Sequence, residues 1–235
     1  MLYLIRIILV ILYVSFVCFI GIIIGLVRPF NPKNVKIICS LLTYAIPLLG
    51  VKIIVHNPER LQEAGPFVYL SNHQHNLDIF PGSYLIPENT VSIGKKSIKY
   101  IPFFGQFYWL SGNILIDRAN KKNAFGTLDQ TVKKIHDQKI SVWIMPEGTR
   151  SQGRGLLPFK KGPFVTAIKA QIPIVPIVIS SYVKKLHFNR WHSGTIRVQI
   201  LPALPTMGLT IDDAGMIKDK TYEMMKSTLH KIDHE

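Results

Sequence analysis

The sequence predicts an α/β fold, with a central, mostly parallel mixed sheet flanked by helices and an N-terminal hydrophobic, membrane-associated helical segment. Three observations predict it. Residues 7–27 carry no charge, six short apolar runs downstream are separated by turn residues, and an amphipathic helical pattern lies between two of those runs.

The first run, "IILVILYVSFVCFIGIIIGLV", is long enough at about 1.5 Å per residue to cross a hydrocarbon core of about 30 Å. Its only basic start is Arg6, and it stops at Arg28-Pro29 without small-residue cleavage spacing, which argues against a removable signal peptide. The next apolar run, "IICSLLTYAIPLLGV" (37–51), is too short to span and is broken by Pro47. It reads as an interfacial or re-entrant helix packed on the first. Arg28, Lys33, Lys36 and Lys52 follow the first run, so the positive-inside bias puts the bulk of the chain on the cytoplasmic side. A helical hairpin dipping into one leaflet would put it there too. Residues 1–55 are expected to anchor the protein and residues 56–235 to form the α/β domain.

"FVYLS" (67–71), "TVSIG" (90–94), "NILID" (113–117), "SVWIM" (141–145), "IVPIVIS" (174–180) and "IRVQIL" (196–201) read as strands. Ala124, Leu128, Val132 and Ile135 recur at helical spacing, with Lys121, Lys122, Lys133 and Lys134 expected toward solvent. From Asp212 to Glu235 a mixed-charge helix carries Ile217, Met224, Met225, Leu229 and Ile232 as a face that covers the core.

A length of 235 residues suits one large domain with a membrane appendage. Lys and Arg number 28 against 14 for Asp and Glu, a net charge of +14, so the surface seeks anions. With 48% hydrophobic residues, lipid headgroups fit that surface better than nucleic acid. Cys18 and Cys39 lie in the apolar region without metal-ligand spacing, which excludes a disulfide scaffold or zinc ribbon. No GxxxxGK[ST] occurs, so nucleotide hydrolysis has no support.

In open α/β sheets ligands sit beyond the carboxyl ends of the strands. Four polar clusters follow strands here: "SNHQHNLD" (71–78), "GKKS" (94–97), "DRANKK" (117–122) and "PEGTRSQGRG" (146–155). The first admits three readings. His73 and Asp78 can be a general base and its orienting acid if the chain turns into a helix after Asn76. His73, His75 and Asp78 can be metal ligands, although no HExxH accompanies them. Asn72, Asn76 and Asp78 can also be turn and cap residues alone. In the last cluster, glycines at 148, 153 and 155 permit close backbone approach, and Arg150 offers a fork of donors suited to phosphate. Between residues 94 and 118, Lys95, Lys96, Lys99 and Arg118 are mixed with Phe103, Phe104, Phe107, Tyr108 and Trp109, a combination that can suit nucleic acid but, with an apolar anchor on the same chain, suits a membrane interface better.

In this order the clusters resemble the glycerolipid acyltransferase family. Its NHx4D motif matches Asn72 to Asp78, and its second motif resembles "GKKSIKYIPFFGQFYW" followed by "IDR" at 116–118. Its FPEGTRS motif matches Met145 to Ser151 with Met for Phe, and its apolar strand containing a proline matches Ile174 to Val178. His75 falls at a variable position and receives no role. The resemblance implies transfer of a fatty acyl group to the 2-hydroxyl of 1-acyl-sn-glycerol-3-phosphate, giving phosphatidic acid at a bacterial inner membrane. It implies acyl-CoA or acyl carrier protein thioester as co-substrate, and neither metal nor cofactor. His73 becomes the base and Asp78 its partner, while Lys95, Lys96, Arg118, Glu147, Gly148, Thr149 and Arg150 become substrate-binding residues. Whether Glu147 touches substrate or orients Arg150 stays open, and backbone N–H groups around Gly148 are candidate oxyanion donors. The rival activities are acylation of another lysolipid, thioester hydrolysis, and binding without catalysis.

Overall fold

The structure is a computed structural model and describes residues 1–63, 65–117 and 121–235. Seven strands form one sheet: β1 (Val51–His56), β2 (Val68–Ser71), β3 (Thr90–Lys95), β4 (Ile114–Ile116), β5 (Ser141–Ile144), β6 (Ile174–Ile179) and β7 (Gly194–Ile200). Their order is β1-β7-β6-β2-β5-β3-β4. Strands β2 to β6 run parallel, and β7 pairs antiparallel to β6 and parallel to β1. The sheet is therefore mixed and mostly parallel, and the ends of β2, β3, β4 and β5 share one edge.

Central position explains composition. Every residue of β2, β5 and β6 is buried, as strands covered on both faces require. Each fully buried Val or Leu there, such as Val68 and Leu70, contributes about 1.5–3 kcal/mol by leaving water. Pro176 costs no ladder bond toward β7, because that pairing begins at Ile177.

Eight α-helices surround the sheet among the described residues: α1 (Leu2–Val27), α2 (Lys33–Leu42), α3 (Ala45–Leu48), α4 (Ile79–Leu85), α5 (Phe104–Leu110), α6 (Lys121–Gln138), α7 (Gly162–Ala170) and α8 (Ala214–Asp233). Helix α8 buries Ile217, Met225, Leu229 and Ile232, as its pattern predicts. The second apolar run becomes α2 and α3 rather than one helix, and Ile38 and Leu42 of α2 pack with Val17 and Cys18 of α1.

Two placements differ from expectation. All of strand β1 but His56 falls within the 1–55 expected for the anchor, because it follows the apolar run of α3 and its pairing with β7 is what distinguishes it. Lys134 does not face solvent: its Nζ donates to Gly112 O at 2.6 Å, and burial lowers its pKa. Lys133 is exposed and Ile135 is buried, as expected. The side chains of Lys121, Lys122 and Ala124 lie outside those described.

Helix α1 does not leave the domain. Arg6, only 5% exposed, donates to the carbonyls of Phe188, Arg190 and Trp191 and to Ser193 Oγ. At the other end, a Cβ on Gly21 would stand 2.6 Å from the Phe107 ring, and one on Gly25 would stand 2.7 Å from Leu110 Cβ. These glycines, one turn apart, let α1 and α5 touch closely. The opposite face exposes Leu4, Ile8, Leu12, Phe16, Phe19 and Ile23. Phe107 and Tyr108 are buried in the domain, whereas Tyr100, Ile101, Phe103 and Trp109 are exposed, with Lys99 Nζ 4.7 Å from the Trp109 ring centroid.

Candidate active site

Strand β2 ends at Ser71, and Asn72 extends its pairing through a side chain. Asn72 Nδ2 donates to Ile179 O, and Ile179 N–H donates to Asn72 Oδ1, both at 2.8 Å. A buried amide thus satisfies the backbone where the ladder stops. After it the chain turns through a short 3-10 helix at Asn76–Asp78 into α4. His75 takes the N-cap, its Nδ1 accepting from Leu77 N–H, while Asp78 answers from the third helical position. His75 is therefore occupied in shaping the turn.

This turn brings Asp78 back onto His73, with Asp78 Oδ2 2.6 Å from His73 Nδ1. An ionised carboxylate can only accept, so Nδ1 carries the hydrogen and Nε2 is the nitrogen left to take a proton. Oδ2 also accepts Gln74 N–H at 2.6 Å and His75 N–H at 3.0 Å. Oδ1 accepts Tyr182 Oη–H at 2.5 Å. Asp78 is 2% exposed, and these four donors compensate its burial. His73 keeps 19% of its side chain open.

The loop after β5 docks against the same turn. Ser151 N–H donates to His73 O at 2.8 Å, and Gln152 N–H donates to Gln74 O at 3.0 Å. Glu147 accepts His73 N–H on Oε1 at 2.6 Å and Leu157 N–H on Oε2 at 2.9 Å. Burial pushes the Glu147 carboxyl up to about 7; the two N–H groups oppose that rise and the Asp78 charge adds to it. Both Glu147 oxygens thus serve the frame that holds His73. Gly148, at φ +70°, closes a turn through its N–H on Met145 O, so this N–H is not directed at a reacting oxygen.

The predicted anion ligands divide by position. Thr149 and Arg150 are exposed at the tip of the β5 loop. Lys95 and Lys96 are exposed at the end of β3, where Lys96 Nζ lies 3.7 Å from Asp117. Arg118 lies outside the described residues. A cleft of about 680 Å³ lined in part by Tyr69, Tyr84, Glu88 and Ser141 opens near the start of β5, at the edge opposite the dyad. Sequence reasoning missed Gln74 and Tyr182. Gln74 Nε2 bonds Ile179 O and Ser180 O, and Tyr182 N–H donates to Gln74 Oε1, contacts between segments about a hundred residues apart.

An imidazole fixed by a buried carboxylate, with exposed cations on the same edge of the sheet, can deprotonate a hydroxyl on an anionic substrate. Comparison with known proteins bears on the family and the fold. The family model described as Acyltransferase matches residues 52–180. The 1-acyl-sn-glycerol-3-phosphate acyltransferases of Escherichia coli and Haemophilus influenzae are 40% and 39% identical over 235 residues, all of this chain and 96% and 98% of theirs. The alpha enzyme of that name from Homo sapiens is 36% identical over 88% of this chain and 74% of its own. A crystal structure of the 1-acyl-sn-glycerophosphate (LPA) acyltransferase PlsC from Thermotoga maritima superposes with a TM-score of 0.68 at 20% identity, over 99% of this chain and 98% of that one, and supports the fold. With more than half of its length inside the family model and relatives near 40% identity aligned along all of it, the chain belongs to the acyltransferase family.

Proposed function

We infer that this chain is a 1-acylglycerol-3-phosphate O-acyltransferase that makes phosphatidic acid for phospholipid synthesis. Full-length similarity to enzymes of that name supports the activity. The observation that carries the mechanism is the 2.6 Å contact of Asp78 Oδ2 with His73 Nδ1. His73 Nε2 takes the proton of the acceptor's free 2-hydroxyl as its oxygen attacks the thioester carbonyl carbon of acyl-CoA or acyl carrier protein. The tetrahedral oxyanion collapses, the carbon–sulfur bond breaks, and the departing sulfur takes the proton back from the imidazolium. Asp78 holds the tautomer and stabilises the charge while it lasts. The substrate supplies the nucleophile, so no acyl-enzyme is needed. Arg150 and Lys95, with Lys96, Arg118 and Thr149 beside them in the sequence motifs, attract the acceptor phosphate. Glu147 serves the site by holding the His73 backbone.

The apolar helix supports membrane association. Because α1 is bound to the domain through Arg6 and again through Gly21 and Gly25, we place it along one leaflet, with its open face in the hydrocarbon and the domain on the cytoplasmic side. A spanning helix would have to carry one of those ends about 30 Å from the domain.

The test is transfer of labelled acyl from acyl-CoA to 1-acyl-glycerol-3-phosphate by purified protein, with free fatty acid followed in parallel. Phosphatidic acid from wild type, and a loss of about 10³-fold in kcat with His73→Ala, are expected. Free fatty acid as the only product would make the protein a thioesterase.

A further inference from the structure

Tyr182 is 1% exposed, lies just beyond β6, and sends its one polar group to the acid of the dyad. We propose that Tyr182 is a positioning residue of the acyl transfer, holding Asp78 in register and setting how strongly its carboxylate grips the His73 imidazolium. The inference rests on the assignment of His73 as the base.

Three features make this hydroxyl more than a core polar group that found an acceptor. The bond is as short as the other two strong ones on Asp78, at 2.5 Å against 2.6 Å, and it is the one among the described residues that reaches Oδ1. Oδ2 is crowded by three nitrogens from residues 73–75, so without Tyr182 the carboxylate would be tethered through a single oxygen and free to rock about it. The tyrosine is itself fixed. Its N–H donates to Gln74 Oε1, its carbonyl accepts Lys185 N–H and Leu186 N–H, and Gln74 is tied to Ile179 O and Ser180 O. The far end of β6 therefore grips both sides of the NHx4D turn. Burial and the Asp78 charge push the phenol far above its ordinary value, so it acts as a donor throughout the working pH range.

Removing the phenol leaves Asp78 anchored through Oδ2 alone, so the imidazole loses its fixed aim and turnover falls while lysolipid binding is untouched.

The experiment compares wild type with Tyr182→Phe, which keeps the ring and removes one oxygen, over pH 5.5–9 in the acyl-CoA assay with Tm measured for both. Expected is a fall in kcat of about tenfold across this range with KM for the lysolipid unchanged. A second measurement keeps the test sharp. In an Asp78→Asn background, Tyr182→Phe should remove less than about twofold further, because a residue that acts through the Asp78 charge has nothing left to act through. A KM for the lysolipid that rises in step with the fall in kcat, a further loss well above twofold in the Asp78→Asn background, or a loss of activity that tracks a lowered Tm at every pH, would overturn the proposal. Failure of wild type to make phosphatidic acid would overturn the underlying assignment and this inference with it, whereas normal wild-type turnover with an indifferent Tyr182→Phe would sink the inference alone.

Discussion

Asp78 accepts four hydrogen bonds inside the fold, whereas Lys95 and Arg150 carry their charges on exposed side chains. The two halves of the proposed site are thus built by opposite means, and the proposed tasks explain why. A proton moves well only between atoms held within a few tenths of an ångström, which requires buried, fully satisfied groups. A phosphate that arrives from a lipid surface and must leave as product needs only charge within reach. Long side chains in water supply that, because desolvating them would cost more than the pairing returns. The contrast also divides the kinetics. Lesions in the frame should act on kcat, and lesions on the rim on KM.

The largest effect should come from Asp78→Asn. The carboxamide can keep its oxygen toward the three nitrogens of residues 73–75 and preserve the turn, so it tests charge rather than shape. A fall in kcat of about 10³-fold with little change in KM is expected from steady-state kinetics. Retention of a tenth of the activity would break the comparison at its buried end.

Glu147→Gln should have an intermediate effect. One amide oxygen can accept from His73 N–H or from Leu157 N–H, but the amide NH2 then opposes the other donor, at a cost of about 1–3 kcal/mol. A loss in kcat of about tenfold is expected as His73 shifts. Stability supplies a second reading. The Glu147 carboxyl stands at about 7 in the folded protein against 4.5 as its ordinary value, so its protonated form favours folding. That contribution is complete below about pH 4.5, is lost as pH rises through about 7, and amounts to roughly 3 kcal/mol. The Tm of wild type relative to Glu147→Gln should fall between pH 5 and 8. A difference that is flat across this range would show that the carboxylate is better solvated than its burial implies.

The same division decides what was legible in the sequence. Strands β2, β5 and β6 were readable because covered strands must be apolar runs, and β7 because a half-covered strand alternates. Strand β1, "VKIIVH", was not, because only the turn at Gly50 parts it from the apolar segment before it and its pairing with β7 joins residues more than a hundred positions apart. The contact of His73 with Asp78 spans five residues and needs only a local turn, so it could be anticipated. The Tyr182 bond to Asp78 spans 104 residues, and one tyrosine beyond a strand gives no sign of where it points. The inward turn of Lys134 has the same cause: a helical pattern cannot foretell a long side chain that reaches back to a carbonyl at Gly112. Glu147 lay between, since the motif marked it while its two partners appeared only in three dimensions.

At the exposed end, Arg150→Ala should raise KM for 1-acyl-glycerol-3-phosphate by about tenfold and change kcat by less than about threefold. An exposed guanidinium that meets phosphate equally in ground and transition state gives uniform binding, which moves KM alone. Added salt should weaken wild-type KM more than that of the variant, because a screened charge already deleted cannot be screened again. Arg150→Lys would recover only part of the loss, since an ammonium keeps the charge without the two-pronged geometry. Titration of initial rates against lysolipid at two ionic strengths checks all three expectations. The informative failure is a fall in kcat as large as that from Glu147→Gln with KM unmoved. In that case Arg150 would be reaching the charge that develops on the reacting carbonyl rather than the resting phosphate, and the exposed rim would belong with the buried frame.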